Sequence, residues 1–158
     1  MNSFERILAI LHENNIAYEH VTHEHIVTSQ DAAKVRGMEA EQGAKALILE
    51  ARDSKDNKFY IQAVLNGSRR INYKALKQLT GYKKLALASP EKVLELTGLT
   101  IGSIPPFGHL WNIPIYVDAH LMMNETIAFS AATHTDSIIM TLEDYLNVVP
   151  HTVAEFSE

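Results

Sequence analysis

A strand in the core of a sheet is predicted from the run Ala44-Lys45-Ala46-Leu47-Ile48-Leu49, which is apolar apart from one lysine. The run Lys58–Leu65 has a similar character, and the polar stretch Arg52–Asn57 separates the two. Two such runs joined by a short polar loop predict an antiparallel hairpin. An ammonium group without a partner is expensive to bury. Lys45 therefore either lays its stem along the core with its charge in water, or offers that charge to an anionic ligand.

Further helices and strands flank this hairpin on both sides. Polar caps predict helices that begin after Asn2, after Thr28 or Ser29, and after Asn72, Ser89 and Thr141. Strands are predicted at residues 16–21, 85–88, 114–118, 126–130 and 137–140. Because the strands of a hairpin are antiparallel, a purely parallel doubly wound sheet is excluded. We predict a single α+β domain over residues 1–158, with a mixed, curved, barrel-like β-sheet surrounded by helices.

The composition is that of an ordinary globular protein. Of 158 residues, 46% are hydrophobic and 21% are charged, and there is no cysteine. The missing cysteine excludes disulfides, thiolate metal sites and cysteine nucleophiles. No apolar stretch is long enough for a membrane span, and the first residues lack the layout of a secretion signal. We therefore expect a cytoplasmic protein that makes no membrane contact.

Basic residues are unevenly distributed, although the net charge is −5. Between Asn57 and Pro90 there is no acidic residue, and this interval contains Arg70 and Lys74 among other basic side chains. A local positive face suits contact with a few phosphates rather than with a whole duplex. A helix whose lysines point into water explains the same pattern, and the sequence leaves both interpretations open.

The most unusual local sequence is Gly102-Ser103-Ile104-Pro105-Pro106-Phe107-Gly108. Glycine allows a backbone to approach a ligand closely, and proline fixes φ and removes a competing N–H. These residues predict a stiff loop whose remaining backbone groups can be directed at a substrate. A simple connection to the strand at 114–118 is the structural alternative.

Histidines suggest weaker alternatives. His20, His23 and His25 lie close together, but no further ligand has metal-site spacing, so no metal is predicted. His134 precedes a predicted strand, where it can bind a ligand oxygen or form an ordinary loop contact. The sequence contains no Gly-x-Ser-x-Gly elbow, which argues against a serine triad built around His134.

Several segments match one family when they are taken in order: Thr28-Ser29 with Ala32-Ala33, Gly43–Leu47, Arg69–Asn72, Leu87–Val93, Gly102–Gly108 and Ile115–Asp118. They resemble the YbaK and prolyl-tRNA-synthetase-associated editing domains, which deacylate mischarged tRNA. The likeness spans most of the chain, from Val21 to Val149. The lysine and the glycine–proline loop, in this order and spacing, are its most specific part.

The resemblance implies catalytic roles for Lys45, Gly102, Pro106 and His134. Lys45 would hold the phosphate or the aminoacyl end of the tRNA acceptor terminus, and the loop from Gly102 to Pro106 would position the ester carbonyl and the terminal ribose. His134 matches a histidine found in some relatives. The family is thought to use substrate assistance, in which a ribose hydroxyl and an ordered water replace a protein nucleophile. An aminoacyl ester is already activated, so it needs mainly orientation and oxyanion stabilisation.

The other candidate contacts to substrate are Thr28, Ser29, Ser103, Ile104, Ala132, Arg70 and Lys74. One of them departs from the family pattern. Many relatives carry a glycine after Phe-Ser-Ala, where this chain has Ala132. That position is expected to shape the amino-acid pocket, and a methylene changes discrimination by only about 1–3 kcal/mol, so the identity of the amino acid does not transfer.

The sequence thus predicts a free-standing aminoacyl-tRNA deacylase that removes a small, wrongly attached alanine, serine, threonine or cysteine. Its expected partners are the mischarged tRNA acceptor end and an aminoacyl-tRNA synthetase, and it needs no cofactor. One alternative is a non-catalytic module of the same fold that binds a tRNA end, a nucleotide or a synthetase. The other is a histidine metal protein, which predicts stoichiometric zinc or nickel. The oligomeric state is left open.

Overall fold

The computed structural model describes residues 1–25 and 28–158. Helices α1 to α5 span Ser3–Glu13, Ser29–Arg36, Tyr73–Thr80, Pro90–Thr97 and Leu142–Val148. Strands β1 to β8 span Glu19–Thr22, Ala44–Arg52, Lys58–Asn66, Lys84–Leu87, Ile115–Asp118, Thr126–Ser130, Asp136–Thr141 and Thr152–Ala154. Short 3-10 helices cover Ala40–Gln42, Gly108–Trp111 and Ala119–Met123. Helices and strands are intermixed along the chain, which confirms the α+β prediction.

The strands form a mixed sheet and a smaller antiparallel sheet. The mixed sheet has the order β4-β2-β3-β5-β8, and the predicted hairpin of β2 and β3 forms its antiparallel centre. Strands β3, β5 and β8 run parallel to one another. The smaller sheet has the order β1-β7-β6, and a parallel bridge between Gly43 and Ala128 links it to the start of β2. The mixed topology is confirmed, with two sheets linked by one bridge in place of one continuous barrel-like sheet.

Local capping chemistry explains where the helices begin and end. The side chain of Asn2 accepts from the Glu5 N–H in a capping box that starts α1. Thr28 caps α2, which ends at Gly37 with a φ of 68°. Such a left-handed conformation is readily adopted only without a side chain, and glycine therefore ends the helix. The caps predicted at Asn72, Ser89 and Thr141 are confirmed in the same way.

Strand β8 is a strand that the sequence did not indicate, and a buried carboxylate anchors the segment that follows it. Asp118 is fully buried and accepts from the backbone N–H groups of Phe156 and Ser157, at 2.7 and 3.1 Å. Phe156 in turn fills a hydrophobic cluster with Leu49 and Leu76. Within the described residues, no helix is long and apolar enough to span a lipid bilayer.

Candidate functional site

A cleft of about 580 Å³ lies where strands β2 and β6 part from one another. The two strands meet at the bridge between Gly43 and Ala128, and the residues that follow on each line the cleft. On the far side, Leu87 to Pro90 and the loop residues Gly102 and Ile104 complete its walls. This volume is typical of small-molecule pockets, and a point where strands diverge is a common place for one.

One face of helix α2 forms a wall of the cleft. Ser29, Ala32, Ala33 and Arg36 line it, and their spacing along the chain is that of a single helical face. Thr28 lines it as well, while its hydroxyl accepts from the Asp31 N–H at 3.0 Å. The small side chains at 32 and 33 leave space in the cleft along this face.

Two cations give the cleft a positive character. Lys45 lines it half-buried, and loss of hydration lowers the pKa of its ammonium group. Burial also lowers the pKa of the Arg36 guanidinium to about 10, so this group remains charged at neutral pH. The Arg36 Nε donates to the Ser137 hydroxyl at 2.9 Å. The acidic residue among the described lining residues is Glu39, which is exposed. The cleft therefore favours an anionic ligand.

Two side chains from elsewhere in the fold fix the glycine–proline loop. Gln62 is fully buried, donates to the Pro105 carbonyl at 3.0 Å and accepts from the Gly108 N–H at 2.9 Å. The hydroxyl of Tyr145 donates to the Pro106 carbonyl at 2.6 Å. The loop belongs to no helix or strand that would pair these backbone groups. The three side-chain hydrogen bonds satisfy them instead and make the loop rigid.

A cluster of polar side chains stands behind the loop. The Nε2 of His134 lies 2.7 Å from the Thr100 hydroxyl, and its ring stacks on His25 with a centroid distance of 4.4 Å. A Cβ atom added at Gly102 would meet the His134 ring at 3.2 Å, so the glycine permits this close approach. Desolvation and the nearby His25 lower the pKa of His134, which keeps the ring neutral near pH 7. Its buried Nδ1 has no hydrogen-bond partner among the described residues.

The structure brings some of the predicted site residues into the cleft and places others outside it. Those that line it are Lys45, Thr28, Ser29, Gly102 and Ile104. Residues that support the loop without lining the cleft are Ser103, Pro106, His134 and Ala132. Arg70 and Lys74 are exposed and lie outside the cleft.

Ala132 has an unusual conformation for its residue type. Its φ is 71°, in the left-handed region, and its N–H donates to the Ser103 carbonyl at 3.1 Å. Glycine adopts this conformation without strain, whereas alanine incurs a Cβ clash. Ala132 therefore meets the loop through its backbone.

Sequence reasoning missed Arg36, Gln62 and Tyr145. The signal for Arg36 was present, because it shares a helical face with Ser29 and Ala32. Gln62 is an amide in the middle of the apolar strand β3, which is itself a sign of a buried polar partner. Nothing local marks Tyr145, because its partner Pro106 lies 39 residues away in sequence.

His20 and His23 each contact a polar side chain of strand β7. The Nε2 of His20 lies 2.6 Å from Asp136, and the Nε2 of His23 lies 2.8 Å from the Ser137 hydroxyl. Asp136 also accepts from Thr133, so it does not orient His134 as a triad would require. In the part of the chain that the structure describes, no group of three or more potential metal ligands comes together.

The chain is similar to known proteins both in sequence and in fold. A family model described as an aminoacyl-tRNA editing domain matches residues 23–148. The multifunctional Ser/Thr-tRNA deacylase ProXp-y of Escherichia coli K12 is 30% identical over 153 residues, which cover 96% of this chain and 91% of that protein. The prolyl-tRNA editing protein ProX of Acetoanaerobium sticklandii is 25% identical, with 94% and 92% covered. A solved structure of a proposed trans-editing enzyme for prolyl-tRNA synthetase superposes with a TM-score of 0.79 at 26% identity, covering 100% of this chain and 98% of that one.

Proposed function

The chain belongs to the aminoacyl-tRNA editing domain family, and we propose that its cleft hydrolyses the ester of a small amino acid wrongly attached to tRNA. The observation that carries this proposal is that Lys45, Arg36 and the rigid loop at Gly102 all line one cleft. A terminal aminoacyl-adenosine offers a phosphate for the cations and an ester for the loop. The reaction belongs in the cytoplasm, where charged tRNA is found.

Lys45 and Arg36 have complementary roles in this proposal. A lysine ammonium is a compact point charge, whereas a guanidinium presents a planar set of donors. Arg36 is already held by Ser137, so it is suited to fix a phosphate oxygen in place. Lys45, half-buried in the same cleft, holds the phosphate or the aminoacyl end and draws the ester toward the loop.

The chemistry requires little from side chains. Water adds to the ester carbonyl carbon, the bond from that carbon to the ribose oxygen breaks, and the leaving oxygen takes up a proton. A neighbouring ribose hydroxyl orients the water. Gly102 lets the backbone approach the ester closely, and His134 and Gln62 keep the loop in place behind it. Orientation of this kind can supply much of a rate enhancement for an activated ester.

Serine and threonine are the amino acids that we propose first. The wall of the cleft contains alanines and the hydroxyl-bearing residues Thr28 and Ser29, which suits a short side chain with a hydroxyl group. The relative from Escherichia coli is named for these two amino acids. Alanine and cysteine are the competitors, because an apolar wall rejects a side chain of similar size by only about 10–200-fold.

The acceptor stem is proposed to cross the surface near Arg70 and Lys74. Gly67 lines the cleft, and the chain continues from it to Arg69, whose Nε donates to the Ser157 hydroxyl at 2.7 Å. Arg70 and Lys74 follow with exposed side chains that are free to contact phosphates. Changing both to glutamate is expected to weaken tRNA binding and to flatten its salt dependence. Unchanged binding would refute this part.

The test is a panel of tRNAs mischarged with serine, threonine, alanine and cysteine. Wild type is compared with Lys45→Ala and with the control Lys55→Ala, which changes an exposed lysine in the loop at the other end of β2. We expect turnover by wild type and by the control, and a loss of about 10²–10³-fold in kcat/KM for Lys45→Ala. Binding without turnover by wild type would instead support a non-catalytic module that recognises the tRNA end.

A further inference from the structure

The backbone of strand β2 directs one peptide group into the cleft. Backbone hydrogen bonds mark the two ends of the β2–β3 hairpin. The Gly67 N–H donates to the Gly43 carbonyl at 2.8 Å, and the Asp53 N–H donates to the Asn57 carbonyl at 3.1 Å. In an antiparallel pair the hydrogen-bonded residues alternate along each strand. Odd-numbered residues of β2 therefore bond to β3. The N–H and C=O of Ala46, which is aligned with Val64, point to the opposite side.

On that opposite side, β2 is paired from Arg52 back to Ile48, and the pairing does not reach Ala46. Strand β4 pairs with Leu49 to Arg52, and the Ile48 carbonyl still accepts from the Ala88 N–H at 3.0 Å. Continuing the same register places Pro90 opposite Ala46. Pro90 has no N–H and begins helix α4, which carries the chain away from the sheet.

The gap is bounded at both ends by strand contacts. Beyond Ala46, the next contact on this edge of the sheet is the bridge from Gly43 to Ala128 of β6. Among residues 1–25 and 28–158, Ala46 thus has no strand partner on its cleft side. Ala46, Pro90 and Ala128 all line the cleft, so the gap is about one residue wide and opens directly into it.

An aminoacyl group carries the hydrogen-bonding groups of one strand residue. Its α-ammonium group donates and its carbonyl oxygen accepts, and both are attached to the same α-carbon. Two opposed residues in a hydrogen-bonded antiparallel pair exchange both of their N–H···O bonds. We infer that the aminoacyl group of the substrate fills the missing position opposite Ala46, donating to the Ala46 carbonyl and accepting from the Ala46 N–H.

This inference rests on the proposed function and adds a positioning role to it. Backbone recognition of the ammonium and carbonyl groups does not depend on the amino-acid side chain, which leaves discrimination to the cleft walls. Side chains of directly opposed residues lie beside each other on one face of a sheet. The methyl group of Ala46 therefore leaves room beside it for a short side chain.

A stable analogue separates binding from turnover. The probe is 3′-serylamino-3′-deoxyadenosine, in which an amide replaces the ester and both recognition groups remain. Its matched control is the 3-hydroxypropanoyl counterpart, which lacks the α-ammonium group. We expect the control to bind about 10–100-fold more weakly, as the loss of one charge-assisted hydrogen bond predicts. Hydrogen exchange of the Ala46 amide should slow on binding the seryl probe, while the Lys45 and Leu47 amides, already bonded to β3, serve as internal references.

Slower exchange at Ala46 together with weaker binding of the control supports the inference. Binding of the seryl probe with unchanged Ala46 exchange, or equal affinity for the two probes, overturns the inference. If the protein also deacylates the mischarged tRNA panel in that case, the proposed function survives without it. Failure of the seryl probe to bind, with no turnover of the panel, overturns both.

Discussion

The two halves of strand β2 have opposite characters within one continuous element. From Leu49 to Arg52 the strand is paired on both edges, and Leu49 and Ala51 are fully buried. From Ala44 to Ile48 the pairing on one edge is interrupted at Ala46, which has no strand partner there among the described residues, and this half carries the half-buried cation Lys45. The first half holds the sheet together, and the second half borders the cleft.

The difference shows how a binding site is built at the expense of stability. A cation that has lost part of its hydration and a strand edge without a neighbour are both unfavourable in the free protein. They are also the features that a charged substrate can satisfy. Substitutions in the two halves should therefore change different quantities, activity in the cleft half and folding free energy in the paired half.

Replacing Lys45 by methionine should produce the largest change in activity. We expect Lys45→Met to lower kcat/KM for the preferred mischarged tRNA by about 10²–10³-fold. The same change should raise the free energy of unfolding by about 0.5–2 kcal/mol, as is common when a functional residue is replaced by one that suits burial. Urea denaturation and single-turnover deacylation measure the two effects.

The pH dependence of this gain follows from the lysine pKa. Burial lowers the pKa of Lys45 in the folded state, so the charged form is penalised by folding. That penalty is fully present at pH values below the folded pKa, falls as the pH rises from the folded to the unfolded pKa, and is gone above the unfolded pKa. The stability advantage of Lys45→Met should thus be largest near neutral pH and shrink toward the lysine range near about pH 10. A variant less stable than wild type at pH 7 would contradict this account, and Lys55→Met is the control.

Truncating Leu49 should produce the opposite pattern. Leu49 is fully buried in a cluster with Ile61 and Leu76, and it does not line the cleft. We expect Leu49→Ala to lower the free energy of unfolding by about 2–5 kcal/mol, measured in urea, with kcat/KM of the folded fraction unchanged. Leu79→Ala, at an exposed leucine, should stay within about 0.5 kcal/mol of wild type. A large activity loss in folded Leu49→Ala would show that the two halves are not separable.

Gln62, which fixes the glycine–proline loop, is expected to affect both the folding free energy and the activity. Gln62 is aligned with Ile48, where the paired half of β2 gives way to the cleft half. Gln62→Leu leaves the Gly108 N–H and the Pro105 carbonyl without partners, at a cost of about 1–3 kcal/mol. We also expect a fall of about tenfold in kcat/KM, because the loop loses its fixed position. The exposed Gln78→Leu is the matched control, and normal activity in Gln62→Leu would remove the loop from the mechanism.

The smallest expected effect is a gain in stability at Ala132. Its φ of 71° is strained for alanine, so Ala132→Gly should raise the free energy of unfolding by about 1 kcal/mol. Ala131→Gly is the control, because Ala131 is buried, has no left-handed φ and should lose stability on this change. Thermal unfolding compares the pair. If Ala132→Gly is instead less stable than wild type, the Ala132 methyl group makes a contact that stabilises the fold by more than the backbone strain destabilises it.

Structural features that depend only on residues close together in the sequence were predictable. The caps at Asn2, Thr28 and Asn72 and the glycine that ends α2 depend only on nearby backbone groups, and they were found at their predicted places. The β2–β3 hairpin was equally accessible, because both strands and their turn lie in one stretch. The site was predicted in part. The Lys45 and Gly102 segments were identified by their residue types, and the structure places both in one cleft.

Features set by distant contacts were not predictable. Strand β8 exists because it pairs with β5 and because Asp118 anchors the residues after it. Arg36 belongs to a recognisable helix face, but only the tertiary fold brings that face to the cleft that β2 also lines. The same holds for the loop, whose rigidity depends on Tyr145 and Gln62 from other elements.

The amino-acid sequence by itself determined helices α1 to α5, the strands other than β8, the helix caps and the presence of a cation at the start of an apolar strand. These follow from the conformational preferences and polarity of neighbouring residues. Only the tertiary structure decided that β2 and β6 part after a single bridge and that Pro90 ends the neighbouring strand opposite Ala46. Strand pairing and cleft formation depend on which backbone edges meet in space, and the local sequence does not specify that.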